Sequence, residues 1–269
     1  MKKKIAGIVV ILIIPVILFV FFLLPSDWKE KILFPINMPE VATTAVTNHS
    51  KNQIFSEKIW LHCVNSIERA KLMAEKYKGF EIDIIWDTDR NQFYVSHDPD
   101  PEIYFPLCQM FDSIKNIQEH YFWLDFKNHN DENSVLALDY LLQLAGKHKI
   151  NHKNIIIESM NPYLLSDYTT AGFTTGFNLP IWDFNPYVAS DKEIAEYAKQ
   201  IDTMLSKCNV NYLSSDYLMY RFIKKYFPDS QMLLWHLKEN RYTTCVRKVI
   251  CGDDNVKVVL IKEYSEGYR

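Results

Sequence analysis

Histidines, carboxylates and a lysine recur in this sequence in four short runs, His62-Cys63-Val64-Asn65, Glu81-Ile82-Asp83, Ser96-His97-Asp98 and Asp125-Phe126-Lys127. An imidazole changes charge near neutral pH, which makes His62 and His97 candidates for the general base and general acid of a proton-transfer reaction. Glu81, Asp83 and Asp125 offer hard oxygen ligands to one divalent cation, Mg2+ or Ca2+, and leave coordination positions for water and a substrate oxygen. These acids are flanked by Phe80, Ile82, Ile84, Trp123, Leu124 and Phe126. Burying them unpaired is unfavourable, so they call for a metal or for a cation such as Lys127. Lys127, as a point charge, and Asn65, as a donor, are candidates for orienting an anionic substrate oxygen. Glu158 and Trp235 join them as candidate substrate contacts, although the run from Glu158 to Pro162 equally suits the start of a helix.

These side chains need elements to hold them. Strand-like runs fall at Ile59 to Val64, Gly79 to Trp86, Tyr121 to Phe126, Asn154 to Ser159, Thr174 to Leu179, Val210 to Ser214, Met232 to His236 and Val256 to Ile261. Between them, Ser66 to Lys78, Ser134 to Lys149, Asp191 to Lys207 and Tyr217 to Tyr226 carry apolar residues at helical spacing. Alternating β and α segments imply a parallel sheet, and their number predicts an α/β fold, a small (β/α)8 TIM barrel over residues 58–269. An open doubly wound sheet is the alternative, but no GxGxxG follows a strand. In a barrel, function gathers at the C-terminal strand ends. Residues two apart on a strand share a face, so Glu81 with Asp83, and Asp125 with Lys127, are expected at one mouth beside His62.

The N-terminus reads differently. Lys2, Lys3 and Lys4 precede an apolar stretch from Ile5 to Leu24, interrupted only by Pro15. About 20 apolar residues span a bilayer core, and no small-residue cleavage site follows, which predicts an uncleaved transmembrane anchor. The basic residues 1–4 would stay cytoplasmic, residues 25–57 would form a linker, and the barrel would be periplasmic or extracellular. Trp28 and Phe34 suit the membrane interface. The net charge of −3 provides no basic field for nucleic acid, and 48% apolar residues indicate a folded core. The five cysteines lack CxxC spacing. Buried thiols are the simplest reading, with Cys245 and Cys251 the pair nearest in sequence. Histidines 120, 129, 148, 152 and 236 are assigned to surface or packing.

Together, His62-x-x-Asn65, Glu81-x-Asp83, His97-Asp98 and Leu124-Asp125-x-Lys127 resemble the site of the phospholipase C-like phosphodiesterase superfamily, in particular glycerophosphodiester phosphodiesterases and the spider-venom sphingomyelinase D type. The resemblance covers residues 59 to 128. It implies a (β/α)8 barrel in which Glu81, Asp83 and Asp125 bind one divalent ion and His62 and His97 carry out acid/base steps on a phosphodiester. It also implies that Lys127 offsets charge at phosphorus, as preorganised cations do for such transition states. Two departures stand out: Cys63 occupies the place of an arginine, and Val258 to Glu263 lacks the Thr-Asp of the last strand. The expected function is a membrane-anchored, metal-dependent phosphodiesterase for a glycerophosphodiester or phospholipid-type substrate, giving either hydrolysis or a cyclic phosphate. A catalytically inactive barrel used as an extracytoplasmic binding module is the alternative.

Overall fold

The computed structural model describes residues 24–34, 36, 38–45, 47, 55–98, 105–180, 184–236 and 241–263. The β-branched and aromatic runs become β1 (Ile59–Leu61), β2 (Gly79–Asp87), β4 (Tyr121–Phe126), β5 (Ile155–Ser159), β6 (Thr174–Asn178), β7 (Tyr212–Asp216), β8 (Gln231–Trp235) and β9 (Val256–Ile261). Among the described residues these eight strands pair in parallel and close, β1 bonding both β9 and β2. The result is the predicted TIM barrel. One strand was not foreseen as a partner in the sheet: β3 (Gln92–Val95) returns antiparallel along β2, pairing Val95 with Ile84.

The helices on the outside are α2 (Ile67–Met73), α3 (Leu107–Ser113), α4 (Ser134–His148), α5 (Leu165–Thr170), α6 (Asp191–Leu205), α7 (Tyr220–Tyr226) and α8 (Arg241–Ile250), with α1 (Ser26–Leu33) ahead of the barrel. α6 shows why sequence and structure agree there. Ser190 and Glu193 form a reciprocal capping box, and Ile194, Tyr197, Ala198, Ile201 and Leu205 recur at three- and four-residue steps on the buried face. Helices α3 and α5 are too short, at seven and six residues, for a clear periodicity, and α8 is polar overall, which left them out of the sequence reading.

Side chains alternate inward and outward along each strand. Trp60, Trp123, Ile156, Tyr212, Leu233, Val258 and Leu260 fill the barrel interior, and Phe55 joins them with its ring 4.9 Å from that of Trp60, edge-on. Gly79 makes this packing possible, because a Cβ there would stand 2.1 Å from the Trp60 ring. Gly79→Ala is therefore expected to destabilise the barrel by about 3 kcal/mol, the upper range for overpacking. Urea denaturation reads that difference, and an unchanged midpoint would contradict it.

The segment expected to be a linker, where it is described, packs on the barrel. Leu33, Phe34 and Ile36 are buried, the Phe34 ring lies 5.4 Å from that of Tyr220, and Glu30 pairs with Lys224 at 2.8 Å. Farther on, the Thr44 and Ala45 N–H groups both donate to Asp202 Oδ1 at 2.7 Å. Thr43 and Thr44 thus satisfy backbone and carboxylate partners on the barrel, and Phe34 belongs to the core rather than to an interface zone. Residues 1–23, which hold the basic tail and nearly all of the expected anchor, lie outside the described residues. Among the described residues no helix is long and apolar enough to cross a membrane. All five cysteines are described and free.

Candidate active site

Strand register assembles a row of carboxylates. β2 aligns Asp83 with Asp125 of β4, which in turn aligns with Glu158 of β5. Glu81 lies one inward step below Asp83, beside Trp123, whose indole donates to Glu158 Oε2 at 2.6 Å. Glu81, Asp83 and Asp125 each offer an oxygen within 4.8 Å of the other two. Lys127, one inward step above Asp125, places its ammonium on Asp83 Oδ1 at 2.7 Å and also on Asp125. The lysine thus pairs with two of the three acids expected to hold a metal.

The chain after β1 is clamped to β2. The Cys63 N–H donates to Glu81 Oε2 at 2.6 Å, the Val64 N–H to the Glu81 carbonyl at 2.8 Å, and Asn65 takes the Asp83 N–H at 3.0 Å while its amide donates to the Asp83 carboxylate. His62 is thereby set with Nε2 3.7 Å from Glu81. The β2–β3 hairpin delivers the second histidine. By running back along β2 it brings Ser96 N–H to the Asp83 carbonyl at 3.1 Å, so His97 returns to the mouth, with Nδ1 3.1 Å from Asp98 Oδ1.

A cavity of about 790 Å³ opens over this row. His62, His97, the three acids, Lys127, Glu158 and Trp235 all line it, so the site residues expected from the sequence converge, with one exception. Asn65 does not line the cavity, since both ends of its amide engage Asp83. It positions a carboxylate instead of meeting a substrate. The Glu158 to Pro162 run both ends β5 and contributes to the wall, where Ser159 Oγ accepts the Asn161 N–H. After β6, Phe184 stacks on Tyr197 at 3.9 Å.

Several lining residues escaped the sequence reading. Asn178 on β6 and Lys262 just beyond β9 occupy inward positions by the same alternation that found Glu81 and Asp83. Extending that rule past the third strand would have found both. His129, assigned to packing, is half-buried at the cavity wall, stacked on Phe126 at 4.4 Å with Nε2 3.0 Å from Ser134 Oγ. His236, likewise, bonds Asp216 at 2.8 Å.

Burial dominates the electrostatics. It pushes Glu81 well above the usual carboxylate range, aided by Asp83 and Asp125 and opposed by the Cys63 N–H. It raises Asp125, against the pull of Lys127, and lifts Glu158 to about 8, with the Asp125 charge adding to the effect. Burial would lower the Lys127 ammonium, but Asp125 and Asp83 more than reverse this and hold it charged. His62 is lowered to about 4 by burial and then by Lys262, so its imidazole is neutral at pH 7.

His129 is lowered to about 4 by burial alone. Its folded value lies below the unfolded value of 6.5, so the unfolded chain takes up the proton first as pH falls. Stability from the neutral ring is complete above about 6.5 and disappears toward 4, a loss of roughly 3 kcal/mol at 1.36 kcal/mol per pKa unit. His129→Gln is expected to flatten the stability curve over that window by about one proton. Denaturant titrations at pH 4.5 and 7 measure it, and an unaltered slope would place the ring's titration elsewhere.

No family model matches the sequence, and no curated protein matches it either. Solved structures do. A glycerophosphodiester phosphodiesterase from Parabacteroides distasonis superposes with a TM-score of 0.54 at 14% identity, covering 77% of this chain and 93% of that one. A phosphodiesterase from Oleispira antarctica, in complex with its product sn-glycerol-3-phosphate, superposes with a TM-score of 0.52 at 10% identity, covering 76% and 92%. The chain shares the fold of the glycerophosphodiester phosphodiesterases. At these identities the likeness concerns the barrel, and the chemistry rests on the residues at its mouth.

Proposed function

We propose that the protein is a metal-dependent phosphodiesterase that cleaves a glycerophosphodiester or phospholipid-type substrate by two-histidine acid/base catalysis. The observation that carries this reading is the convergence of His62, His97, Lys127 and the Glu81, Asp83 and Asp125 carboxylates on one cavity. The acids suit a hard divalent ion. They are oxygen donors within reach of a common centre, three carboxylates against the single Lys127 ammonium. Mg2+ or Ca2+ held there would supply Lewis-acid stabilisation of charge at phosphorus.

The chain's own groups divide the remaining work. Lys127 attracts the phosphodiester anion and orients a non-bridging oxygen. His62, neutral and held beside Glu81, takes the proton of the attacking hydroxyl. His97, on the open side of the mouth, donates to the leaving alkoxide. Glu158, protonated at neutral pH and buried under the row, can donate to a substrate oxygen, and Trp235 supplies an apolar wall. The apolar run from Ile5 to Leu24 supports placement at a membrane with the barrel outside the cytoplasm, where lipid-derived diesters are at hand.

Phosphorus NMR of the full chain incubated with glycerophosphodiesters and lysophospholipids, with Mg2+, with Ca2+ and with chelator, tests the proposal. Metal-dependent release of a phosphomonoester is expected, and a cyclic product would redirect it to intramolecular attack. His62→Asn and His97→Asn should each lower kcat by about 10² to 10⁴, the range for a lost acid or base. Binding without turnover in the wild type would instead make the barrel a binding module.

A further inference from the structure

Cys63 interrupts the resemblance to phosphodiesterases, and its geometry gives it a chemistry of its own. His62 and Cys63 follow directly on β1, which ends at Leu61, and both line the cavity. Cys63 has a left-handed backbone, φ 56°, an unusual conformation for a residue other than glycine. One His62 ring nitrogen, the Cys63 sulfur and one Glu81 oxygen lie within 4.8 Å of one another. His62 Nδ1 is also buried without a hydrogen-bond partner. A tetrahedral ion with bonds of about 2.0 to 2.3 Å sets its ligands roughly 3.3 to 3.8 Å apart, so modest side-chain rotation closes the set.

We infer that His62, Cys63 and Glu81 form a binding site for a thiophilic divalent cation of the zinc class, distinct in ligand chemistry from the all-oxygen set of Glu81, Asp83 and Asp125. Imidazole and thiolate suit zinc and reject hard ions such as Mg2+, whereas the carboxylate set prefers the latter. The two sets share Glu81, and cation type decides which is used. On binding, the sulfur–metal bond forms and the thiol proton leaves to solvent, since a coordinated thiol is deprotonated. The fourth position is left to water or to an anionic ligand from the cavity. The functional consequence rests on the phosphodiesterase reading: an ion on His62 removes the proton acceptor, so zinc inhibits the Mg2+- or Ca2+-dependent reaction.

The test uses Co2+ as a spectroscopic stand-in, added to the full-length protein. A near-ultraviolet cysteinate-to-cobalt charge-transfer band is expected, abolished by equimolar Zn2+ and absent in Cys63→Ser. Cys63→Gly provides the second variant, because glycine accepts the left-handed backbone without strain while removing the whole thiol-bearing side chain. Cys208→Ser should keep the band, and His62→Ala should weaken cobalt binding at least tenfold. A wild type without the band, or a band that survives in Cys63→Gly, overturns the site. These spectra need no turnover, so they stand apart from the fate of the phosphodiesterase reading. If hydrolysis is found, Cys63→Gly should be at least tenfold less sensitive to zinc, relative to its own zinc-free rate, than the wild type. Equal sensitivity would overturn the link to His62.

Discussion

Glu81→Gln is expected to abolish metal-dependent hydrolysis and, in chelator at pH 8, to raise the melting temperature. The first effect follows from losing one of three carboxylates offered to the ion, a loss of at least ~10³-fold, or about 4 kcal/mol of transition-state stabilisation. The second follows from burial. Without metal the Glu81 carboxylate is desolvated and faces Asp83 and Asp125, so the folded state holds its proton far more tightly than the unfolded chain does. Below the ordinary value of 4.5 both states are protonated and the position contributes its full stability. As pH rises above that value, the unfolded carboxyl ionises freely while the folded one resists, and stability falls. Glutamine keeps an oxygen for the Cys63 N–H and has no charge to bury. Its advantage should therefore grow from pH 5 to pH 8, with each ~1 kcal/mol appearing as about 2 to 4 °C for a chain of this size. Saturating Mg2+ or Ca2+ should reverse the order, because ion binding stabilises only the wild type appreciably. Calorimetry at both pH values, with and without the ion, measures all four corners. A variant less stable than wild type by the same margin at both pH values in chelator would mean that the carboxylates do not repel one another.

The contrast between Glu81 and Lys262 explains how far the sequence could be read. Each barrel strand was legible, because its apolar or alternating run is bounded by turn residues and the register needs only period two. Glu81, Asp83, Asp125 and Lys127 were legible for the same reason, as charges at alternate positions in runs that are otherwise apolar. Lys262 and Asn178 obey the same parity, but each is a single polar residue at a strand end, where such residues are common. Cys63 could be named but not placed: a β-like run does not announce its positive φ. That the Asn65 amide engages Asp83 was not legible, because a donor near a phosphate site and a donor orienting a carboxylate look identical in sequence. The packing of residues 33–45 on the barrel was not legible for a related reason. Thr44, Ala45 and Phe34 find their partners on Asp202 and Tyr220, more than a hundred residues away, and composition carries no trace of such pairings.

His62 and Glu81 also link the two cation chemistries to one catalytic geometry. The Glu81 carboxylate accepts from the Cys63 N–H, stands 3.7 Å from His62 and shares a cluster with Asp83 and Asp125. Any ion that draws Glu81 toward the oxygen set leaves His62 available to move a proton. An ion drawn to the Cys63 side occupies the imidazole. If both proposals hold, selectivity between activity and inhibition resides in ligand softness at adjacent positions of the same mouth.

Lys127→Met should separate the structural from the catalytic use of charge at this mouth. In the wild type the partly exposed lysine side chain bonds both Asp83 and Asp125, which is why its own proton is held so firmly. Its removal leaves a buried Asp83 and a half-buried Asp125 uncompensated, a loss of about 1 to 3 kcal/mol once solvent screening is allowed for. In chelator the melting temperature should fall by roughly 5 °C. The same deletion strengthens the negative field over the oxygen set, so Mg2+ or Ca2+ should bind at least ~10-fold more tightly and recover most of the lost stability. Activity should not follow. An ion can replace the ammonium as a counter-charge for Asp83 and Asp125, but it cannot also stand where Lys127 meets the phosphodiester, so kcat/KM should remain ~10²-fold or more below wild type in saturating metal. Lys127→Arg keeps the charge in a planar fork that does not fit between two carboxylates in the same way, and should recover stability more than rate. Calorimetry and turnover on the same metal-loaded samples decide between the two roles. If metal restores both, Lys127 is a counter-ion alone; if it restores neither, the carboxylates do not form the cation site.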